Sequence, residues 1–245
     1  MKQNMYDDEA FFSKYSQMNR SVQGLAGAGE WHTLQPMLPD FEGKAVLDLG
    51  CGFGWHCQYA IEHGAASVVG VDISEKMLAV AREKTSGEIK YVCSPIEEAE
   101  FAEGSFDAVI SSLAFHYLAS FDDIAGKVWT WLKPGGDFVF SAEHPVFTAQ
   151  GSQDWQRDAQ GMIEHFPVDN YFYSGKREAN FLGETVIKYH RTLTDYFSAL
   201  LQNGFEIRGV AEPQPSAEML ASVEGMQDEL RRPMMLIVAA RKTPA

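Results

Sequence analysis

Long apolar runs are missing from this 245-residue chain: 45% of its residues are hydrophobic, but no uninterrupted stretch is long enough for a membrane-spanning helix. The first residues, "MKQNMYDDEAFFSKY", lack the apolar core of a secretory signal, so a cytoplasmic location is expected. Cysteine is scarce. Cys51, Cys57 and Cys93 form neither an even set nor a CxxC pair, which sets aside a disulfide framework and a zinc site; no metal is expected. Cys51 is read as a small buried residue in a tight turn rather than as a nucleophile. Basic residues are few, 20 against 34 acidic ones, and the net charge of −14 repels phosphate backbones and anionic membranes. Lys176, Arg177, Arg231 and Arg232 make no long basic cluster. Nucleic-acid and membrane partners are therefore not expected, and a small or neutral substrate is.

What the chain has is alternation. Short apolar runs at Ala45–Leu49, Ser67–Val71, Ile89–Cys93, Phe106–Ile110 and Gly136–Ser141 read as buried strands. Helical patterns lie between them at Trp55–His63, Glu75–Lys84 and Phe121–Leu132. In the second, Ser74 is placed to cap, and Met77, Leu78 and Ala81 share one face. Strands alternating with helices imply a doubly wound α/β sheet with right-handed crossovers. Two final apolar segments, "GFEIRGVAEP" and "MMLIVAARK", suggest an antiparallel edge. Between the core and these segments, Glu184–His190 reads as a strand. A helix follows, with Thr194 as cap, Tyr196, Phe197, Leu200 and Leu201 facing inward, and Asn203-Gly204 as its stop. One domain is expected, with lid helices over residues 1–43, a cofactor-binding core over 44–144, a substrate-facing insertion over 145–183, and C-terminal strands and helix over 184–245. The lid is read from "DDEAFFSKYSQMNRS" and "EWHTLQPML", and the insertion from a stretch too long and irregular to be a simple connection.

The first strand runs into a loop with Gly50, Gly52 and Gly54, where an open sheet binds its ligand. Glycine permits close backbone approach and positive φ. A pyrophosphate loop needs G-x-G-x-x-G, and the position three after Gly52 is Trp55. The next strand ends at Asp72, whose carboxylate is placed to accept ribose hydroxyls. A nucleoside is implied and a pyrophosphate is not.

These segments resemble the class I S-adenosylmethionine-dependent methyltransferases of the small-molecule type. The likeness is carried by "VLDLGCGFG", "GVDIS" with "EKMLAVARE", "EGSFDAVISSLAFHYL" and "WLKPGGDFVFS", in order, from Lys44 to about Ser141. It implies a Rossmann-like, mostly parallel seven-stranded sheet with an antiparallel terminal strand, and S-adenosyl-L-methionine as cofactor. By the same resemblance Gly50, Gly52 and Gly54 line the methionyl and ribose portion, and Asp48 orients the loop or reaches the cofactor ammonium. Asp72 holds the ribose, Ile73 and Met77 flank the adenine, and Ser112 and Leu113 close the site at the end of the fourth strand. Met77 is equally read as core filling. Where the group often has an adenine-binding Asp and a small residue, this chain has Pro95 and Ile96, so Glu97, Ser94 or a backbone carbonyl must take the adenine amino group while Ile96 packs on the ring. From the first helix, Tyr15, Asn19 and Arg20 are placed to fold over the cofactor, with Arg20 meeting its carboxylate; a surface position is the other reading for Arg20.

Methyl transfer is an in-line displacement, so alignment is the main requirement and a base helps only when the acceptor must lose a proton. His116 and His144, after the fourth and fifth strands, are the candidates. For His116 an orienting or wall role is favoured over that of a base; His190 is read as a strand residue. Together Trp155, Phe166, Tyr171, Phe172 and Tyr173 could close an apolar pocket, but for any single ring burial in the insertion's own minor core is the favoured reading. Two other functions compete: a non-catalytic S-adenosylmethionine-binding regulator, and a nicotinamide-dependent oxidoreductase, against which the glycine spacing argues.

Overall fold

The computed structural model describes residues 4–243. Short helical segments come first, with α1 at Glu9–Ser16, α2 at Asn19–Val22 and α3 at Trp31–Leu34. The sequence suggests two helices here. Gly24, Gly27 and Gly29 interrupt the chain between α2 and α3, and Pro36 falls just after α3, so the segment is cut into single turns.

The core then alternates as expected. Strands β1 (Ala45–Leu49), β2 (Ser67–Asp72), β3 (Lys90–Cys93), β4 (Phe106–Ser112) and β5 (Leu132–Glu143) are separated by helices that include α4 (Trp55–Glu62), α5 (Glu75–Lys84) and α6 (Phe121–Trp131). After β5 come α7 (Pro145–Thr148), the short pair β6 (Gln156–Arg157) and β7 (Ile163–His165), then β8 (Gly175–Phe181) and β9 (Glu184–His190). Helix α8 (Leu193–Gln202), β10 (Phe205–Ala211), α9 (Ala217–Ser222) and β11 (Met235–Lys242) complete the chain. The main sheet has seven strands in the order β10-β11-β5-β4-β1-β2-β3. Strand β1 pairs in parallel with both β2 and β4, and β11 runs antiparallel to β5 and β10. The order reverses between β1 and β4, which opens a crevice at the carboxyl ends of these strands.

Burial explains why these runs are strands. Val46, Leu47 and Leu49 in β1, and Ala108 and Val109 in β4, are fully buried because helices cover both sheet faces. One layer packs Phe115, Phe121, Trp131, Phe138, Phe140 and Tyr196 together; the other packs Phe41, Cys57, Leu78 and Ile110. Such rings bury large apolar areas and dominate a core's energetics.

Strand β9 lies outside the main sheet. It forms a hairpin with β8, joined by Leu182 and Gly183, whose φ values of 56° and 81° suit a tight two-residue turn. The N-terminal segment packs on this hairpin: Phe11, Ala179 and Val186 are buried together, with Tyr6, Tyr15 and Phe181 against them. Asp7 ties the same segment to the core by accepting from Ser74 Oγ at 2.6 Å and from the Lys76 amide at 3.2 Å.

Helix α8 starts two residues earlier than its sequence suggests. Thr192, not Thr194, is the cap: its hydroxyl accepts from the Asp195 amide, and the Asp195 carboxylate accepts from the Thr192 amide. The reciprocal pair satisfies two orphan donors, which a cap at Thr194 could not do. Tyr196 and Leu200 face inward as expected, whereas Leu201 is 58% exposed. Replacing Thr192 by Ala should cost ~1 kcal/mol of stability, and Thr194→Ala should cost less than about half of that. Urea unfolding of the two variants checks the assignment, and equal losses would contradict it.

Candidate functional site

The crevice deepens into a cavity of about 1190 Å³. Its inner wall is the loop after β1. Gly50, Gly52 and Gly54 all have positive φ, between 54° and 76°, so the loop needs glycine for its path. Space divides their roles. A Cβ on Gly50 would overlap Ala114, and one on Gly52 would crowd Met77 Cε at 3.2 Å; both positions line the cavity. At Gly54 a Cβ would overlap Tyr91 Oη, and this glycine lies outside the wall, where it lets α4 approach β3.

Asp72 sits at the end of β2, 9% exposed. Its Oδ2 accepts from the Gly52 amide and its Oδ1 from the Ser74 amide, both at 2.9 Å. Burial raises its carboxyl above the usual range, against the pull of these amides. Each oxygen keeps a lone pair, and the residue faces the cavity beside the glycine loop. Ile73, Met77, Ile96 and Glu97 continue this wall, with Pro95 beside them. The Glu97 carbonyl already accepts from Lys127 Nζ at 2.8 Å. Ser94 bonds the Pro95 carbonyl and does not belong to the wall.

Opposite stand Tyr15, Asn19 and Arg20 from the N-terminal segment, and Ser112 and Leu113 from the end of β4. Arg20 is not a surface residue: it reaches Glu30 Oε1 at 3.3 Å and Ser112 Oγ at 3.2 Å. Leu113 has φ 53°, a left-handed conformation costly for a branched side chain. The composition of this end is unusual. Among the described residues, Ser21 Oγ, Glu30 Oε2, Trp55 Nε1 and His56 Nε2 are buried without a hydrogen-bond partner, and all four residues line the cavity. Buried polar atoms are ordinarily paired, so this set of acceptors and donors fits a polar ligand group.

His116 lines the cavity next to Glu143 at the end of β5. Its Nδ1 accepts from the Glu143 amide at 3.4 Å, which leaves the proton on Nε2, 3.8 Å from Glu143 Oε1. Burial pushes the imidazole down to about 4, so it is neutral near pH 7. Glu143 is held by Lys188 Nζ at 2.5 Å and by Gln153 Nε2 at 2.7 Å. Burial opposes its ionisation, but His116, Lys188 and Gln153 outweigh that and hold its carboxyl below the usual range. Glu143, Lys188 and Glu30 carry no motif in the sequence, although the place of Glu143 at the end of a central strand marks it.

Several expected placements differ. Asp48 is 1% exposed, accepts from Cys57 Sγ at 3.3 Å and does not line the cavity, so it cannot reach a ligand ammonium there. Burial pushes its carboxyl up to about 7. His144 is also outside: its Nδ1 accepts from the Val146 amide to cap α7, and its Nε2 lies 2.9 Å from Glu212. The insertion's rings do not close the pocket. Trp155 and Phe166 pack with Phe147 around Arg232, Tyr171 packs on His190, and Phe172 and Tyr173 are exposed. The hairpin supplies wall residues instead, among them Phe181, Val186, Ile187 and Tyr189. Cys51 is buried with its thiol pushed up to about 11, as befits a residue filling a turn.

A glycine turn, a strand-end carboxylate and a buried polar end together define a nucleoside-binding α/β protein whose ligand carries no pyrophosphate. The comparisons specify it. The methyltransferase domain family matches residues 47–140. An S-adenosylmethionine-dependent methyltransferase of Mesorhizobium loti is 42% identical, with 89% of this chain and all of that chain covered and a TM-score of 0.82. A protein of Listeria monocytogenes assigned to the same activity is 55% identical over 90% of this chain and 99% of that chain, with a TM-score of 0.85. An uncharacterised protein of Haemophilus influenzae is 34% identical over 98% of both chains. The chain belongs to the S-adenosylmethionine-dependent methyltransferases. It is an enzyme that uses S-adenosyl-L-methionine as methyl donor, and neither the regulator nor the oxidoreductase reading survives.

Neutral burial of His116 has a consequence for stability. Its pKa is lower folded than unfolded, so between about pH 6.5 and 4 the unfolded chain binds more protons, and stability present above pH 6.5 is lost as pH falls. His56, pushed down to about 4 by burial, acts in the same sense, and Asp48, raised to about 7, in the opposite one. His116→Gln should therefore lose stability more gradually than the wild type over this window. Urea titrations at successive pH values measure both slopes; identical slopes would contradict the buried neutral imidazole.

Proposed function

We propose that the methyl acceptor is a small molecule that enters the same cavity as the cofactor, and that nucleic acid is not a substrate. The observation that carries this reading is the cavity itself, which continues from the glycine loop to the hairpin and the β10–β11 connection under the N-terminal segment. A macromolecular acceptor would have to present its nucleophile through that cover. Six carboxylate residues on the wall against Arg20 and Lys176 also disfavour a phosphate backbone.

In this reading Asp72 accepts both ribose hydroxyls, while Gly50 and Gly52 let the methionyl and ribose portion approach the backbone. Ile73, Met77 and Ile96 enclose the adenine, and the Glu97 carboxylate takes its amino group. Glu30 Oε2 accepts from the cofactor's ammonium, the part first assigned to Asp48. Tyr15, Arg20, Ser112 and Leu113 close the methionyl end, where Arg20 and Trp55 Nε1 donate to the carboxylate. The bound cofactor supplies a methyl group made electrophilic by its sulfonium sulfur. The protein's task is then to align the acceptor, worth up to ~7–11 kcal/mol when geometry is near attack. His116 is a positioning residue: both ring nitrogens face Glu143, and its low pKa makes it a weak base. His144 plays no direct part.

Incubation with methyl-labelled cofactor and a cell extract should place label in the dialysable fraction. Label confined to retained RNA or protein would overturn the small-molecule reading. Calorimetry with S-adenosylhomocysteine should show Asp72→Ala weakened by at least about 100-fold, since two charge-assisted bonds contribute ~1.5 kcal/mol or more each. Asp48→Asn should change affinity by less than about threefold. Equal affinities for the two variants would contradict the ribose assignment.

A further inference from the structure

Beyond the nucleoside end the cavity has two unlike surfaces. One is apolar and adaptable: Met219, Met226, Met234 and Met235, with Pro213 and Pro215, all from the connection between β10 and β11 or its edges. Methionine side chains fit irregular shapes and make favourable contacts with aromatic rings, so this surface suits an apolar body rather than a sugar or a phosphate. The other is anionic. Glu143 lines the cavity with its Oε1 held by Lys188 and its Oε2 by Gln153, while Lys188 is 3% exposed and does not itself reach the wall. Of this ion pair the negative partner is therefore the one on the cavity wall. Glu224 and Glu229 also line the cavity, Glu229 paired with Arg232 at 2.6 and 3.1 Å, and the two cations on the wall are themselves engaged, Lys176 lying 3.3 Å from Glu178 and Arg20 3.3 Å from Glu30.

We infer that the acceptor is an amine with an apolar body, methylated on nitrogen, with that nitrogen held against Glu143 and the body against the methionine surface. The inference rests on the small-molecule reading above and narrows it. Its chemistry follows the charge. The ammonium form that Glu143 attracts first releases a proton to water; the lone pair so freed forms the new N–C bond as the S–C bond breaks, and that bonding pair stays on sulfur as a neutral thioether. The positive charge passes from sulfur to nitrogen, and the ammonium product later releases its proton to water. Nitrogen gains positive charge in the transition state, where an ionised carboxylate in a sheltered site stabilises it. A carboxylate acceptor would meet repulsion from Glu143. An alcohol would have to surrender a proton far less acidic than an ammonium's, and the wall matches that task poorly: its carboxylates and the buried His116 and His56 are weak bases, and burial raises Tyr6, Tyr15 and Tyr117 so that they stay protonated.

Three probes with one naphthalene body separate these chemistries: 2-naphthylmethylamine, 2-naphthylmethanol and 2-naphthoate. Each is titrated calorimetrically at pH 8 into the full chain saturated with S-adenosylhomocysteine, and methyl transfer to each is followed with labelled S-adenosylmethionine. The amine should bind at least about tenfold more tightly than the naphthoate and alone become methylated. Glu143→Gln should reduce that preference by about tenfold while leaving S-adenosylhomocysteine affinity unchanged. Equal or tighter binding of the naphthoate, methylation of the alcohol or the acid, or no binding of the amine overturns the inference, and the wild-type ranking alone suffices to do so. An unchanged preference in Glu143→Gln also overturns it. Failure of S-adenosylhomocysteine itself to bind overturns the cofactor assignment and the amine with it, whereas the other failures leave the cofactor assignment standing.

Discussion

The carboxylate of Asp72 joins three pieces of backbone that would otherwise move independently. It ends β2, holds the Gly52 amide of the β1 loop and holds the Ser74 amide at the start of α5, each at 2.9 Å. Ser74 in turn caps α5 and bonds Asp7 of the N-terminal segment. The loop, the helix and the cover are therefore set by one chain of hydrogen bonds, and in a buried site such bonds reinforce one another. The carboxylate is costly to bury, as its raised pKa records, and the two amides offset part of that cost. Its remaining lone pairs give the cavity a fixed acceptor before any ligand arrives.

The second half of the cavity is assembled from parts added to the sheet. The β8–β9 hairpin packs against Phe11, and its Lys188 reaches across to Glu143 on β5. Arg232 sits among Phe147, Trp155 and Phe166 at 4.7 to 5.1 Å from the ring centres, which fastens the β10–β11 connection to the insertion. Trp155 and Phe166 are therefore taken up by this anchoring and do not line the cavity. The apolar surface at the far end of the cavity comes from methionines and prolines in a connection whose sequence carries little periodic signal.

The sheet could be read from the sequence because each core strand is a short, nearly continuous apolar run bounded by turn residues, and burial on both faces demands that pattern. The five core strands and α5 lie within three residues of their expected bounds at every end but one: β5 starts at Leu132 rather than at Gly136. The hairpin was harder. Strand β8 reads "GKREANF", with one side toward water, and its turn uses Leu182 where Asn or Asp would have signalled it. Among site residues, backbone-defined positions such as Gly50, Gly52 and Asp72 face the cavity because a loop after a strand has only one place to go. Residues whose role depends on side-chain direction were less legible. Asp48 and Asp72 both belong to adjacent central strands, yet one points into the packed layer below and the other into the crevice. His144 sits one residue past Glu143 and so turns away from the cavity that Glu143 faces. Glu30 gave no sequence signal, because its partner Arg20 is ten residues away on a segment without regular periodicity.

One carboxylate organises the loop, and the ribose role proposed for it extends that organisation to the nucleoside. A crystal structure of the protein with S-adenosylhomocysteine tests it most directly. Both ribose hydroxyls should lie within hydrogen-bond distance of Asp72, with the Gly52 and Ser74 amides still donating to the same oxygens. A ribose bound by other residues, or an Asp72 side chain released from the Gly52 amide, would contradict it.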